Sequence, residues 1–508
     1  LVDSADCASL LPAAHSMLGY GDQSQKLHLS NIKATQGVSN IGESINRISE
    51  LQDESEALAQ DQSNVSLSSD SISEIVTKTR DALAVKDELL STKKSVEEAS
   101  SPVGQMLNAR IADLKTIQDS LHDDEVLIFV FPESRAFPLR YSFNVIGIID
   151  SEGFRVKTFD SATANKKISS VLDSIAMRAP FDYEAAFAIY DGVFGDVVIS
   201  TKTSTQPQNI TFIGSGSFNS IPLRLLVVDN PQNEDFNANS SWAYQRLNFR
   251  RAASLTSFLS SRTLNTRTQA LQAFLGVGNP ALASSRTDLR GLKLVSAGGT
   301  IQNTSRLNSL PSLPDTETEI RELAGYYLSE PQSTLLLGKD ASETQLNSLD
   351  LRQYGAIAFA THGLLSSDIP GLDEPALVLS PPNQPSLIDD GLLTASEISE
   401  MDMRANLVIL SACNTNVEDL NSGSALTNLS NAFMLAGASS IMATHWSVES
   451  NIATFLTTRT ISRLKNRPAD GLAGAVNHAI GLAREKPEWQ HPFFWAPFSV
   501  YGDNALIN

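Results

Sequence analysis

The sequence has little cysteine, a deficit of basic residues and no long apolar run. Its 508 residues include two cysteines, Cys7 and Cys413, near opposite ends, which predicts neither a disulfide framework nor a zinc site. One disulfide between the two stays open. Lysine and arginine number 38 against 57 acids, a formal charge of −19, so we expect no direct nucleic-acid binding and no basic membrane surface. No apolar segment approaches the roughly 18–20 residues that span a bilayer.

The remaining composition is that of a globular protein. An apolar fraction of 42% and a length of 508 residues predict two or three folding units with large cores. The two distant cysteines favour a reducing cytoplasm. No secretory signal peptide is visible after Leu1, and the leucine start predicts that an upstream part was removed or left out. The seven histidines lack cysteines or acid clusters at ligand spacing, so the sequence predicts no metal site and no cofactor.

Residues 1–120 are predicted to form a helical segment. Apolar residues recur there at three- and four-residue steps, as in Ile45, Ile48 and Leu51 and again after Pro102. Such amphipathic helices are not stable alone, so they must pack on each other or on the rest of the chain.

From Glu125 onward, short apolar strands alternate with amphipathic helices. The predicted strands are 126–131, 145–149, 154–159, 210–213, 273–277, 356–360, 407–410 and 440–444. The predicted helices are 168–175, 242–259, 316–328 (with Asp315 as N-cap), 426–436 and 452–464. This alternation predicts an α/β fold with a mostly parallel sheet. A polar stretch at 281–312 is predicted to be a linker, which divides the series into one unit at 121–312 and another at 313–508.

Two glycine patterns raise the question of nucleotide binding. Gly214-Ser215-Gly216 follows a predicted strand, and Gly276-Val277-Gly278-Asn279-Pro280-Ala281 fits the dinucleotide pattern G-x-G-x-x-A. Neither pattern is followed by a helix start, so both are predicted to be turns. A nucleotide-binding α/β protein stays open as a weaker alternative.

Two reactive side chains follow predicted strands of the second unit. His362 comes just after the strand 356–360 and precedes Gly363, whereas Cys413 comes just after the strand 407–410. Open α/β sheets place functional groups at the carboxyl ends of parallel strands, so we expect both residues at one sheet edge. A thiol needs a nearby base to ionise at neutral pH, and imidazole is its usual partner. The spacing indicates a Cys/His dyad, with a buried structural cysteine as the alternative.

Four motifs in the second half of the chain resemble a known family. They read ATHG at 360–363, LSACNT at 410–415, NAFMLAGA at 431–438 and HPFFWAPF at 491–498. In this order they resemble the CHAT domain, a caspase-like peptidase of clan CD related to separase. A weaker resemblance extends upstream to about residue 120. Residues 1–120 resemble only the helical segment that often links tetratricopeptide repeats to such domains.

The resemblance implies two caspase-like α/β units, a catalytically silent one at 121–312 and an active one at 313–508. It implies His362 as general base and Cys413 as nucleophile, with the backbone N–H groups of Gly363 and Cys413 as the oxyanion hole. The implied reaction is hydrolysis of a peptide bond in a protein substrate through a thioacyl intermediate. It also implies control by a regulatory protein partner at the N-terminal helices, and a role in bacterial defence or cell death.

The substrate pocket is less sharply indicated. Arginine-specific relatives place a carboxylate in the first pocket, but Ser411 stands two residues before the cysteine. Glu418 and Asp419 are candidate pocket acids, with solvated loop charges as the alternative. His445 stands where the family often has leucine, and it either lines a pocket or is a local substitution. A small or apolar first pocket is equally open.

A different class of function also stays open. In this alternative the chain is a scaffold, whose helices bind partner proteins and whose caspase-like units are structural. The presence of both His362 and Cys413 argues against it.

Overall fold

The computed structural model describes residues 114–503 with gaps. The residues left out within this range are 123, 131–142, 152, 196–207, 266–272, 283–306, 308–309, 327–332, 366–367, 369–371, 373, 383–388 and 413–421. Of the predicted helical segment 1–120, the described part is helix α1, Leu114–Ser120. The rest of that segment lies outside the described residues, as do the candidate site residues Cys413, Glu418 and Asp419.

Most described strands belong to one large sheet. The strands are β1 Glu125–Val130, β2 Phe143–Asp150, β3 Gly153–Asp160, β4 Gln208–Ile213, β5 Leu247–Arg251, β6 Ala273–Pro280, β7 Thr334–Gly338, β8 Tyr354–Ala360, β9 Gly363–Leu364, β10 Ala376–Val378, β11 Leu392–Thr394, β12 Leu407–Leu410, β13 Ser440–Thr444 and β14 Phe498–Gly502. Eleven of them pair in the order β3-β2-β1-β4-β5-β14-β13-β12-β8-β6-β7, and β11-β10-β9 form a second, smaller sheet.

The large sheet is mixed but mostly parallel. Among its described pairings, β1/β2, β2/β3 and β13/β14 are antiparallel and the others are parallel. This confirms the predicted α/β class with a mostly parallel sheet. The strands predicted at 145–149 and 154–159 form an antiparallel hairpin, in which Asp150 pairs with Gly153. The earlier and later parts of the chain meet in this sheet where Arg251 of β5 pairs with Tyr501 of β14. The division into two units stays a prediction.

Helices cover both faces of the large sheet. The described helices are α1, α2 Ser161–Ala176, α3 Tyr183–Phe194, α4 Leu255–Asn265, α5 Pro314–Gly325, α6 Glu343–Asn347, α7 Ala395–Glu400, α8 Ser422–Leu435, α9 Ser450–Asn466, α10 Gly471–Arg484 and α11 Pro492–Trp495. Alternate residues of β8, Ala358 and Ala360, share one core with α2, α3, α5, α9 and α10. Phe359, which points to the opposite face, contacts Phe433 of α8 at a ring-centroid distance of 5.4 Å. The fold is therefore a three-layer arrangement. Among the described residues, no helix combines the length and apolarity needed to cross a membrane.

The helix predicted at 242–259 is wrong. A single 3-10 turn at Ala243–Gln245 precedes β5, and helix α4 begins only at Leu255. All five residues of β5 are buried, including Arg250 and Arg251. A short apolar segment is compatible with either a helix or a strand, so the sequence pattern could not distinguish the two. Pairing with the neighbouring strands β4 and β14 makes this segment a strand.

Two further predictions differ from the structure. The helix expected at 316–328 is α5, and its N-cap is Leu313 rather than Asp315. Pro314 occupies the first turn, where its fixed φ angle favours a helix start and its missing N–H costs nothing.

Gly276 and Gly278 lie within strand β6 rather than in a turn. A Cβ atom at Gly276 would overlap the side chain of Ile320 on α5, so these glycines allow the helix to approach the strand closely.

Helix α8 ends in a motif that requires glycine. The N–H of Ala438 donates to Phe433 O at 3.0 Å, and the N–H of Gly437 donates to Met434 O at 3.1 Å. This pair of hydrogen bonds is the Schellman motif, which places its penultimate residue in the left-handed region. Gly437 accordingly has a φ of +110°, and a Cβ atom there would overlap the carbonyl oxygen of Met403.

Substituting Gly437 by alanine is expected to destabilise the protein by about 3 kcal/mol or more, because backbone strain adds to a clash with main-chain atoms. Gly481→Ala on α10 is the matched control, since no atom beyond its chain neighbours and its own helix backbone lies within 4 Å of a Cβ placed there. That control is expected to stabilise the helix by about 0.5–1 kcal/mol. Urea unfolding of both variants measures the difference, and equal midpoints would contradict the role given to Gly437.

Candidate active site

Strands β8 and β12 bring the two predicted catalytic segments to the same sheet edge. The strands are parallel neighbours, with Leu410 opposite Phe359. The N–H of Ser411 donates to Phe359 O at 2.9 Å and extends this pairing past the end of β12. His362 stands two residues after β8, and Cys413 follows Ala412, the last described residue after β12. The predicted parallel pairing of these strands is thus confirmed, whereas the position of Cys413 stays a prediction.

The imidazole of His362 is buried and held by a main-chain carbonyl. The side chain is 2% exposed, and Nε2 lies 2.8 Å from the carbonyl oxygen of Pro311. A carbonyl oxygen only accepts hydrogen bonds, so this contact assigns the ring proton to Nε2. In the neutral ring, Nδ1 then carries the lone pair that can take up a proton.

The backbone after His362 is fixed by the small sheet. The N–H of Val378 in β10 donates to His362 O at 2.8 Å, so these two residues form a hydrogen-bonded pair. Pairing alternates along antiparallel strands, which makes the next pair, Gly363 and Leu377, a non-hydrogen-bonded one. The N–H of Gly363 therefore points away from β10. An N–H group with this direction is available to a ligand, as the predicted oxyanion-hole role of Gly363 requires. The role itself stays a prediction.

A second apolar core supports the segment that carries Pro311. This core lies apart from the main one and contains Leu282, Leu307, Leu310, Leu364, Leu372, Ala376, Val378 and Leu392. Leu307 and Leu310 are 0% and 1% exposed, so the chain just before Pro311 is packed against the small sheet. Their burial fixes the carbonyl that orients His362.

A buried carboxyl group holds the far side of the small sheet. Glu343 of α6 is 1% exposed, and its Oε2 accepts hydrogen bonds from the N–H groups of Asp390 at 2.9 Å and Gly391 at 2.6 Å. Burial, together with the charge of Glu397, raises the pKa of Glu343 to about 8. Glu343 is therefore mostly protonated at neutral pH, where it anchors the start of β11.

Glu343→Gln is expected to become more stable relative to the wild type as the pH rises from about 5 to about 9. Because the folded-state pKa of about 8 exceeds the ordinary value of 4.5, the folded protein holds an extra proton between these values. Wild-type stability then falls with rising pH by up to about 1.4 kcal/mol per unit for this one group. Glutamine stays neutral and still accepts the two N–H bonds. Urea unfolding across this pH range measures the difference.

Glu317→Gln is the control for this pH dependence. Glu317 lies half-buried on α5, and hydrogen bonds from Arg321 and then Asn279 lower its pKa. It is therefore ionised in both states throughout the range, and its stability difference from the wild type is expected to stay flat. A flat difference for Glu343→Gln as well would contradict a protonated Glu343.

The described candidates for the substrate pocket are both buried. Ser411 is 2% exposed, and its Oγ donates to Glu319 Oε2 at 3.3 Å. His445 is 3% exposed, and its Nε2 lies 2.8 Å from Ser499 Oγ. Burial and then the charge of Arg251 hold the pKa of His445 well below its ordinary value, so its ring is neutral. The pocket roles of both residues, and of Glu418 and Asp419, stay predictions.

Sequence reasoning missed two groups at this edge, Pro311 and Glu319. The carbonyl of Pro311 is a main-chain atom, and nothing in the sequence distinguishes it from other carbonyls. The burial of Glu319 could have been recognised from the sequence, because Glu319 lies on the same helical face as Thr316, Ile320 and Leu323, which are buried. A carboxyl group on the buried face of a helix is rare unless it has a specific partner.

Comparison with known proteins gives one family match and several structural ones. Residues 184–503, more than half of the chain, match the model of the CHAT domain. The chain is similar to the Saccharomyces cerevisiae separase–securin structure at 10% identity and a TM-score of 0.43, covering 94% of this chain and 40% of that one. This chain thus spans less than half of that separase chain. No curated protein matches it.

Two further similar structures are of gingipain. One is the Arg-specific cysteine proteinase gingipain R, at 9% identity and a TM-score of 0.36, covering 68% of this chain and 74% of that one. The other is the complex of Porphyromonas gingivalis RgpB pro- and mature domains, at 10% identity and a TM-score of 0.37, covering 68% of this chain and 76% of that one.

Proposed function

The chain belongs to the CHAT domain family, and from this premise we propose that it is a cysteine endopeptidase. In this proposal Cys413 is the nucleophile and His362 the general base. The observation that carries the proposal is the parallel pairing of β8 and β12, because it ends both catalytic segments at one sheet edge. The hydrogen bond between His362 and Pro311 supports it, since it leaves Nδ1 as the basic nitrogen.

The chemistry follows from these two groups. His362 takes the thiol proton at Nδ1, and the Cys413 sulfur attacks the scissile carbonyl carbon to form a tetrahedral oxyanion. The N–H groups of Gly363 and Cys413 stabilise that oxyanion. As the C–N bond breaks, the imidazolium gives its proton to the leaving amine, and a thioester remains. Water then attacks the thioester while His362 accepts its proton, which releases the acid and restores the thiol.

The Pro311 carbonyl has a role in both protonation states of the ring. It accepts the Nε2 proton of the neutral imidazole and fixes the ring orientation before reaction. When Nδ1 is also protonated, the same carbonyl dipole stabilises the imidazolium, as the oriented acceptor does in other acid–base pairs. The group that orients the base is thus a main-chain atom rather than a carboxylate.

The wider setting of the activity is proposed from the family, except for the cytoplasmic location, which is proposed from the cysteine content of the sequence. We propose a protein substrate, a regulatory protein partner that engages residues 1–120, a cytoplasmic location, and a role in bacterial defence or cell death. The first-pocket preference stays open between a basic and a small or apolar residue.

A cleavage-site screen tests the proposed function. Proteome-derived peptides are incubated with the wild type and with Cys413→Ala, and the new amino termini are identified by mass spectrometry. Cleavages present only with the wild type are expected, and their sequences report the pocket preference. Identical termini in both samples would contradict a Cys413 peptidase.

Labelling with a thiol-reactive peptide probe separates the enzyme from the scaffold. Labelling of Cys413 that falls in His362→Ala is expected for a dyad. Equal labelling in the wild type and the variant would favour the scaffold instead.

A further inference from the structure

Helix α5 and the segment just before it contact the chain at the ends of both catalytic strands. The segment that leads into α5 supplies the Pro311 carbonyl that binds His362. Five residues into α5, Glu319 accepts a hydrogen bond from Ser411, two residues before Cys413. The base and the nucleophile segment are therefore both tied to the stretch from Pro311 to Gly325.

The position of Glu319 is unusual for a carboxyl group. Its residue exposure is 0%, and its carboxyl group lies between Ser411, just after β12, and Thr457 of helix α9. Oε2 lies 3.3 Å from Ser411 Oγ, and Oε1 lies 3.4 Å from Thr457 Oγ1 of α9. Burying a carboxyl group costs more free energy than burying an apolar side chain, even when hydroxyl groups hydrogen-bond to the carboxyl group. A buried carboxyl group is therefore usually retained for its polar partners, and one partner of Glu319 is the hydroxyl group of Ser411, two residues before Cys413.

Helix α5 is also held rigidly against the sheet. Cβ atoms at Gly276 or Gly278 of β6 would collide with Ile320, the residue after Glu319, so there is no room for a side chain between helix and strand at these positions. Thr316 Oγ1 accepts a hydrogen bond from the N–H of Asn279 at 2.8 Å and fixes the start of the helix. The glycines of the dinucleotide-like pattern are thereby explained by the packing of helix α5 on strand β6. This packing fixes the position of Glu319 relative to the sheet.

We propose that Glu319 is a positioning residue for Cys413, acting through Ser411. The inference rests on the proposed function, because it assigns a role in the same dyad. Glu319 fixes the Ser411 hydroxyl, and this sets the path of the chain into the nucleophile. Because the same helix follows the Pro311 carbonyl, one rigid element sets the spacing between thiol and imidazole.

The expected consequence is a loss of thiol activation rather than of folding. Groups that orient a reacting residue contribute about 10–100-fold, and a displacement of about 1 Å at the reacting atoms costs about 100-fold. We therefore expect Glu319→Met to slow the alkylation of Cys413 by iodoacetamide at pH 7 by about 10–100-fold. The midpoint of its pH profile is expected to move toward about 8.5, the value of a free thiol.

The test measures iodoacetamide alkylation from about pH 5 to about 9.5 in a full-length Cys7→Ser background, where Cys413 is the one remaining thiol. Glu319→Met removes the acceptor, Glu319→Gln keeps an acceptor oxygen, and Ser411→Ala removes the donor. Glu322→Gln, an exposed glutamate on the same helix, is the matched control. His362→Ala gives the profile of a thiol without its base.

The expected pattern has three parts. Glu319→Gln stays within about 3-fold of the wild type, as a rescue by the conservative variant. Ser411→Ala resembles Glu319→Met, and the double variant is no slower than either, because residues that act through one contact are not additive. Glu322→Gln behaves as the wild type. Should Glu319→Met not fold, Ser411→Ala alone must still show the shifted profile.

The possible failures are distinguishable. If His362→Ala leaves the profile unchanged, the dyad and the proposed function are wrong. If His362→Ala shifts the profile but Ser411→Ala and Glu319→Met match Glu322→Gln, the dyad stands and the role of Glu319 is wrong. A lower unfolding midpoint with an unchanged pH profile would likewise show that Glu319 is structural only.

Discussion

Replacing His362 by glutamine is expected to lower kcat/KM for the best peptide of the cleavage screen by about 1,000-fold or more. Removing the base of a nucleophile–base pair typically costs this much, because the thiol is then mostly protonated and the leaving amine lacks a proton donor. Glutamine is chosen because its Nε2 can still donate to the Pro311 carbonyl that holds His362 Nε2 at 2.8 Å. The local packing is thereby kept while the basic nitrogen is lost.

His478→Gln is the matched control for this prediction. His478 lies exposed on α10, so the same change of side chain removes an imidazole from a different part of the fold. Its kcat/KM is expected to equal that of the wild type, and both variants are expected to keep the wild-type unfolding midpoint. A His362→Gln enzyme with more than about a tenth of the wild-type kcat/KM would contradict the assigned base.

The sheet edge that carries this site could be predicted from local sequence alone. The segments at 356–360 and 407–410 are short, continuous apolar runs, and the segment at 440–444 has an apolar centre between Ser440 and Thr444. Each of the three lies in a strand of the structure. Such runs are typical of strands buried on both faces, and parallel strands end together at one edge. The placement of His362 beyond β8 follows directly from that pattern.

What the sequence could not supply were contacts between residues far apart in the chain. Strand β5 was misassigned because a short segment of this kind fits a helix as well as a strand, and nothing local shows that its two arginines, Arg250 and Arg251, are buried. Their burial depends on acceptors such as Glu125, 125 residues away, and no local pattern reports such a partner. The same holds for the contact between His362 and Pro311, which are 51 residues apart.

The partners of Arg250 form a buried charge network that joins the first and last strands of the described chain. Arg250 donates to Glu125 Oε1 at 2.9 Å and to Asp503 Oδ1 at 2.6 Å. Arg262 of α4 donates to the same oxygens, at 2.6 Å and 2.7 Å. Glu125 is 3% exposed overall and Asp503 is 6% exposed, so two acids compensate two arginines with little help from solvent. Strands β5 and β14 pair through one residue pair, so the ion pairs of this network strengthen the contact between the two strands.

Glu125→Gln is expected to lower the free energy of unfolding by about 3–5 kcal/mol, because it leaves two guanidinium groups with one carboxylate in a buried site. The isosteric change removes the charge while the side-chain oxygen can still accept a hydrogen bond. Asp229→Asn is the matched control, since Asp229 pairs with Arg246 at 2.8 Å where both side chains are more than a third exposed. Its cost is expected to stay below about 1 kcal/mol. Urea unfolding at pH 7 measures both, and similar losses in the two variants would show that the buried network contributes no more than a surface ion pair.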